Sequence, residues 1–137
     1  MQTQGSSNGG SDRTAGIEVG PASQLVNIVV ENPADRVAIL RVAGEIDLLT
    51  ANLLGERIRE QLVPDNRMLV LDLSDVAFLG SAGLAEIVSA SQAGKDGGIR
   101  LVLVATSRAV LRPLEATGLL AILTVYDTVD EAISSEN

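Results

Sequence analysis

The stretch RMLVLDLSDVAFLGSAGLAEIVSA, residues 67–90, carries the pattern that decides the fold. Its first part, 67–74, is a continuous apolar run of strand length, which is typical of a strand buried on both faces of a sheet. Its last part predicts a helix from about 82 to 94 that stops at the glycines of GKDGG. A small polar residue, Ser81, lies between the two parts. The stretch therefore predicts a strand, a turn and a helix, with a hydroxyl group at the turn.

Strands and helices alternate on both sides of this unit. Before it, two β-rich runs at 25–31 and 36–43 are joined by the turn signal NPAD, and together they predict a hairpin. A helix follows in EIDLLTANLLGERIREQLV, where leucine and isoleucine recur at three- and four-residue spacing. Either Asp47 or Thr50 could cap the start of this helix.

The alternation continues to the end of the chain. IRLVLVA, 99–105, predicts a buried strand, and a helix begins near Ser107 with Gly118 as its C-cap. LLAILTVYD then predicts a last strand, and TVDEAISSE predicts a short terminal helix. The order ββαβαβαβα implies an α/β layered domain with a mixed sheet. The functional surface of such a sheet usually lies at the carboxyl ends of its parallel strands, where Ser81 falls.

Composition excludes several classes of function. Hydrophobic residues make up 46% of the 137 residues and aromatic residues 1%, so the core must be aliphatic. The chain has no cysteine and no histidine, which removes disulfides, thiolate metal sites and the commonest general base. The net charge of −8 argues against binding to nucleic acid or to an anionic membrane surface. No cofactor and no metal site is predicted.

The amino-terminal residues differ from the rest in composition. Residues 1–20 are polar and rich in glycine and serine, which predicts a disordered tail ahead of a domain at 21–137. This start shows no secretory signal, and no apolar run approaches the roughly eighteen residues of a membrane span. We therefore expect a cytoplasmic protein.

Ser81 admits three interpretations. It could be the N-cap of the following helix, although the third residue on is Leu84 rather than the Glu or Gln of a capping box. It could be a nucleophile, but there is no histidine, and Lys95, the only lysine, lies about 18 Å away along the helix. It could be a phosphorylation site, because a helix N-terminus tolerates an anion that would block a partner. The enzymatic interpretation fails, and the cap and the switch stay open.

Three motifs of the chain resemble those of one family. LDLSDVAFLGSAGLAEIVSA resembles the signature of the STAS domain of bacterial anti-sigma factor antagonists, DLS-x-V-x-F-[LMI]-D-S-[STA]-G-L, which carries a phosphorylated serine. LRVAGEIDLLTA resembles the family's strand ending in G-E-[LI]-D, and ATSRAVLRPLEATGLLAIL resembles its helix that runs through (S/T)-G-L into the last strand. The resemblance spans about 25–133 and implies the STAS fold, a mixed, mainly parallel sheet of about five strands with about four helices.

The resemblance assigns roles residue by residue. Ser81 takes the phosphorylated position, and Asp47 matches the family's acidic residue at the end of the second strand. Gly80 departs from the family, which usually has Asp there; the departure removes a charge beside the hydroxyl and permits a positive φ. The implied partner-binding residues are Gly44, Glu45, Asp47, Gly80, Ser81, Gly83 and Leu84.

The implied partner is an anti-sigma factor, a serine kinase of the histidine-kinase-like ATPase class. The unphosphorylated protein would capture it and release the sigma factor, and phosphorylation of Ser81 would end the capture. A phosphatase is a further candidate partner, and the choice between monomer and homodimer stays open. Neither an enzyme nor a nucleic-acid or membrane partner is expected.

Two alternatives remain beside this mechanism. One is a constitutive antagonist or scaffold that is never phosphorylated, which Gly80 favours. Another is a STAS accessory subunit of a lipid-transport ATPase complex. A small hydrolase is the interpretation from a different class; an acyl-ester substrate tests it, and we expect no turnover.

Overall fold

The computed structural model describes residues 25–136. The disordered tail predicted at 1–20 lies outside the described residues, so it stays a prediction. Within the described range no helix is long and apolar enough to cross a membrane.

Five strands and four α-helices follow one another in the described part of the chain, in the order ββαβαβαβα. They are β1 (Val26–Ala34), β2 (Val37–Ile46), α1 (Ala51–Gln61), β3 (Met68–Leu79), α2 (Ser81–Asp96), β4 (Arg100–Val104), α3 (Arg108–Ala116), β5 (Val125–Tyr126) and α4 (Val129–Ser134). A short 3₁₀ turn, Leu119–Ala121, precedes β5. This order and the mixed sheet confirm the predicted α/β fold.

The five strands form one sheet in sequence order. β1 and β2 make the predicted antiparallel hairpin, and β2, β3, β4 and β5 then pair in parallel. Each parallel connection returns through a helix, as crossovers between parallel strands require. The carboxyl ends of β2 and β3 therefore lie side by side at one end of the sheet.

Aliphatic side chains cover both faces of the sheet. The larger cluster lies between one face and helices α1, α2 and α3, which contribute Leu54, Ile87 and Leu114, all fully buried. The smaller cluster lies on the other face beneath α4, whose Ala132 is buried there. Because β3 supplies buried residues to both clusters, its apolar run is continuous rather than alternating.

Two register shifts keep the ends of β2 and β3 paired. Arg41 pairs with Asp72 and Ala43 with Asp75, so β3 has one residue more than β2 over this interval. A second shift follows at Gly44. Pairing then continues to the last residues of the two strands, which brings the loops after them together.

The buried carboxylate of Asp72 stabilises the first shift. It accepts hydrogen bonds from the Ser74 amide at 3.0 Å and from the Arg41 guanidinium at 2.7 Å. Arg41 also contacts the exposed Glu31 carboxylate at 3.1 Å. The hydrogen bond that Arg41 donates to Glu31, with the nearby charges of Glu31 and Asp72, raises the pKa of Arg41 above its usual value.

The last strand is shorter than the sequence predicts. LLAIL forms the 3₁₀ turn and its exit rather than a strand, and only Val125 and Tyr126 pair with β4. The short β4 offers few partners, and Gly118 turns the chain with a φ of +77° directly before this segment. Gly118 itself follows the C-cap residue, Thr117, so the predicted C-cap is displaced by one residue.

Candidate partner-docking site

Ser81 is the first helical residue of α2 and is exposed. The N-cap is Gly80, whose carbonyl accepts the first helical hydrogen bond from the Leu84 amide at 3.1 Å. The prediction of Ser81 as the N-cap is therefore wrong by one residue, and no side chain caps this helix. No hydrogen bond joins the Ser81 hydroxyl to another residue in the range 25–136, so the group is available at the surface.

Gly80 has a backbone conformation that any residue can adopt. Its φ is −93° and its ψ is 179°, so the positive φ that glycine permits is not used. Its amide donates to the Ile46 carbonyl at 2.9 Å, which ties the turn to the end of β2. A Cβ atom at this position would lie 3.1 Å from the exposed ring of Phe78. The backbone therefore does not require glycine at position 80. The difference from the aspartate that the family usually has here is a difference of charge.

Asp47 organises the loop between β2 and α1. Its carboxylate accepts hydrogen bonds from the amides of Leu49 at 2.9 Å and Thr50 at 3.2 Å. The buried Thr50 hydroxyl accepts from the Asp47 amide at 2.9 Å and donates to the Glu45 carbonyl at 2.7 Å. Thr50 is the N-cap residue of α1 but makes no side-chain cap, so Asp47 shapes the approach to the helix.

Gly44 and Glu45 precede this loop on β2. Gly44 has a φ of +112°, and a methyl group there would overlap the carbonyl oxygen of Leu25. Glycine is required at this position by conformation and by the close passage of the chain. Glu45 is exposed and lies beside Phe78 of β3.

Gly83 and Leu84 lie beneath the surface rather than on it. A Cβ atom on Gly83 would overlap Ile46 and lie 2.8 Å from Leu79, so the glycine allows α2 to approach the strand ends closely. Leu84 belongs to the larger core cluster. Of the predicted binding residues, these two could affect a partner only by positioning the residues above them.

Three large apolar side chains at this end of the sheet were not predicted. Leu48 is 83% exposed, Leu49 63% and Phe78 51%. The sequence does contain a signal for them: two adjacent leucines directly before a helix start cannot both enter its buried stripe. Likewise, the buried Leu79 places the neighbouring Phe78 on the opposite face of the strand.

Comparison with known proteins identifies the family. The STAS domain family matches residues 28–132, most of the chain. The chain belongs to the STAS domain family. This STAS protein is also 37% identical to the anti-sigma-F factor antagonist RsfB of Mycobacterium tuberculosis over 98 residues, which cover 72% of this chain and 80% of RsfB.

Two further relatives agree with this assignment. The anti-sigma-B factor antagonist of Listeria monocytogenes is 32% identical over 103 residues, 75% of the STAS protein and 90% of the relative. A crystal structure of an anti-sigma factor antagonist from Mycobacterium paratuberculosis superposes with a TM-score of 0.72 at 32% identity, covering 85% of this chain and 96% of that one. The predicted membership of the anti-sigma factor antagonist family is confirmed. Such antagonists interact with anti-sigma factors, and they are regulators rather than enzymes.

Proposed function

We propose that the protein captures an anti-sigma factor and thereby releases a sigma factor, and that phosphorylation of Ser81 ends the capture. The observation that carries the proposal is the exposed Ser81 hydroxyl, unbonded within the described residues, on the first residue of α2. Its surroundings support a docking role, because Glu45 and the Asp47 loop lie at the same end of the sheet. The work of such a protein takes place in the cytoplasm, where sigma factors act.

The position of Ser81 suits a reversible charge. Free amides and the helix dipole at the start of α2 favour an anion, so a phosphate there need not unfold the domain. The same phosphate would add about −1.5 to −2 charges to a surface that a partner must cover. A charge desolvated in an interface without a counter-charge is costly, so the partner would dissociate.

The chemistry of the transfer would come from the partner. The chain has no histidine, and its single lysine, Lys95, lies in the last turn of α2, far from Ser81. The proposed partner is accordingly an anti-sigma factor that is itself a serine kinase of the histidine-kinase-like ATPase class, with a phosphatase to reverse the step.

Gly80 supports one second candidate, a constitutive antagonist that is never phosphorylated. The carboxylate that the family usually places beside the serine is absent, although the backbone could carry it. Such a protein would hold its partner irrespective of nucleotide. The two candidate functions differ only in whether Ser81 is phosphorylated.

The test is incubation of the protein with purified anti-sigma kinases of its own genome and Mg-ATP, followed by intact mass and affinity measurement. We expect a single gain of about 80 Da, and an affinity about tenfold lower or weaker still afterwards. Ser81→Ala should abolish the gain, whereas Ser89→Ala, which alters another exposed serine of α2, should not.

Each other outcome has a defined meaning. Stable binding without a mass gain would establish the constitutive antagonist and reject the switch. Absence of binding to every anti-sigma factor tested would reject the proposed function.

A further inference from the structure

We infer that Leu48, Leu49 and Phe78 form the apolar centre of the docking surface, and that the anti-sigma factor offers them an apolar pocket with a basic rim. We call these three residues the apolar patch. The inference rests on the proposed function and adds the chemistry of the contact. Ser81 then acts as the switch, while the apolar patch supplies most of the affinity.

The two leucines are the most exposed large apolar residues of the range 25–136. Leu48 leaves 83% of its surface to solvent, more than any other large apolar residue of the range 25–136. Single exposed leucines are common, but a group of large apolar side chains at one end of a sheet indicates an interaction surface. Covering it would remove apolar area from water and contribute to binding.

The strand pairing brings the segments that carry the patch to the same end of the sheet as Ser81. Phe78 lies next to Glu45, and the last residues of the two strands, Ile46 and Leu79, also pair. Leu48 and Leu49 begin the loop after Ile46, and Ser81 is two residues after Leu79. The ring of Phe78 also lies against Gly80, within 3.1 Å of where a Cβ atom would be. A partner that covers the patch therefore covers the Ser81 hydroxyl as well.

The loop that carries the two leucines is held in place before any partner arrives. The Leu49 amide is bonded to the Asp47 carboxylate, and the buried Thr50 hydroxyl ties the loop to the Glu45 carbonyl. A loop fixed in this way loses little conformational entropy on docking, so more of the contact energy appears as affinity. This is the behaviour expected of an anchor residue at an interface.

The charges around the patch indicate which charges the partner should carry at the rim of its pocket. Glu45 and Asp75 are exposed, and neither forms an ion pair with another residue of the described range. Arg41, which precedes Glu45 on β2, is already engaged by Glu31 and Asp72. An apolar centre with an acidic edge is complementary to an apolar pocket edged by arginine or lysine.

The same charges argue against a second copy of this chain as the occupant. A two-fold contact would bring each patch, with its acidic edge, against an identical one. Glu45 and Asp75 would then face like charges, in a chain whose net charge is −8. A partner of opposite charge avoids this repulsion.

Phosphorylation of Ser81 should weaken partner binding more when the centre of the docking surface is apolar than when it is polar. A phosphate on Ser81 would place about two negative charges at the edge of a pocket built for leucine and phenylalanine. The partner's basic rim would already pair with Glu45 and Asp75, so the phosphate would be desolvated against the apolar pocket without a counter-charge of its own. The dissociation rate, rather than the association rate, should carry this effect.

The decisive experiment measures binding kinetics to the anti-sigma kinases of the same genome by surface plasmon resonance. The test variant is Leu48→Ser with Leu49→Ser. The matched control is Ile122→Ser, another large apolar residue, 60% exposed, which precedes β5 and so lies at the opposite end of the parallel strands. The rim is tested with Glu45→Gln and Asp75→Asn. Circular dichroism establishes that each variant is folded.

We expect the double leucine variant to bind about 100-fold more weakly, almost entirely through faster dissociation, and Ile122→Ser to bind like the wild type. The rim variants should bind only a few fold more weakly, through slower association. A double leucine variant that binds like the wild type would overturn the inference and leave the proposed function standing. An equal loss in Ile122→Ser would also overturn it, and failure of the wild type to bind any of these kinases would reject both.

Discussion

Ser81 occupies the first helical position of α2, one residue after the N-cap Gly80. A serine at the N-cap would use its hydroxyl to accept a bond from an amide of the first turn. At the next position the hydroxyl has no such role, and the residue is exposed. Because Gly80 rather than Ser81 is the N-cap, the hydrogen bonds at the start of α2 do not use the hydroxyl that we propose as the switch.

Gly44 and Gly118 offer a comparison at the level of single residues. Both have a positive φ, but only Gly44 has another part of the backbone, the Leu25 carbonyl, where a methyl group would go. We expect Gly118→Ala to lower the free energy of unfolding by about 1 kcal/mol and Gly44→Ala by about 3 kcal/mol, because strain and overlap add.

Urea unfolding followed by circular dichroism measures both values. Equal losses would show that the chain at Leu25 moves away freely and that Gly44 is needed for its φ alone. A large loss of stability at Gly44, with normal partner affinity in the folded fraction, would make its role structural rather than binding.

Among the loops, the one between β2 and α1 owes its shape to Asp47. The carboxylate accepts from two successive amides, and the Thr50 hydroxyl completes the network. The loop thus needs an acceptor at position 47, whereas a partner with a basic rim would need a charge. These two requirements can be separated by substitution.

Asp47→Ala should raise the exchange rates of the Leu49 and Thr50 amides about tenfold or more and destabilise the domain by about 1 kcal/mol. Asp47→Asn keeps an acceptor oxygen and should preserve the protection. Hydrogen exchange measured by NMR checks both. If Asp47→Asn keeps the protection but loses partner affinity, the charge itself takes part in docking; unchanged exchange in Asp47→Ala would contradict the role in the loop.

For the molecule as a whole, the site depends on how far β2 and β3 extend together. β4 pairs with β3 only as far as Asp72, but β2 follows β3 to Leu79 across two register shifts. The pair therefore continues past β4 and carries the candidate site at its end. Core packing on both faces holds the pair in place, with α1 and α2 on one side of it.

The prediction of a disordered tail concerns the whole chain, and we keep it as a proposal. A chain lacking residues 1–20 should unfold within about 2 °C of the full-length protein, because a tail without a packed core contributes no stability. Differential scanning calorimetry of the two proteins measures this. A fall of more than about 5 °C would mean that the segment packs on the domain.

The sequence by itself determined the elements, their order and the family. Apolar runs and helical spacing specify which residues must be buried, and this information is local to each segment. The same local patterns located Ser81 just after the end of β3 and Asp47 just after the end of β2.

Only the tertiary structure decided which side chains stay exposed and which residues of neighbouring strands pair with each other. LLAIL has the composition of a strand, yet the short β4 leaves it few partners, and it forms a 3₁₀ turn. Gly83 and Leu84 follow the serine in the family motif but are buried, because α2 lies close on the strand ends. Leu48 and Phe78 are large apolar residues of the kind that fill protein cores, but both are exposed. Burial depends on what packs against a residue, and distant segments of the chain supply those contacts.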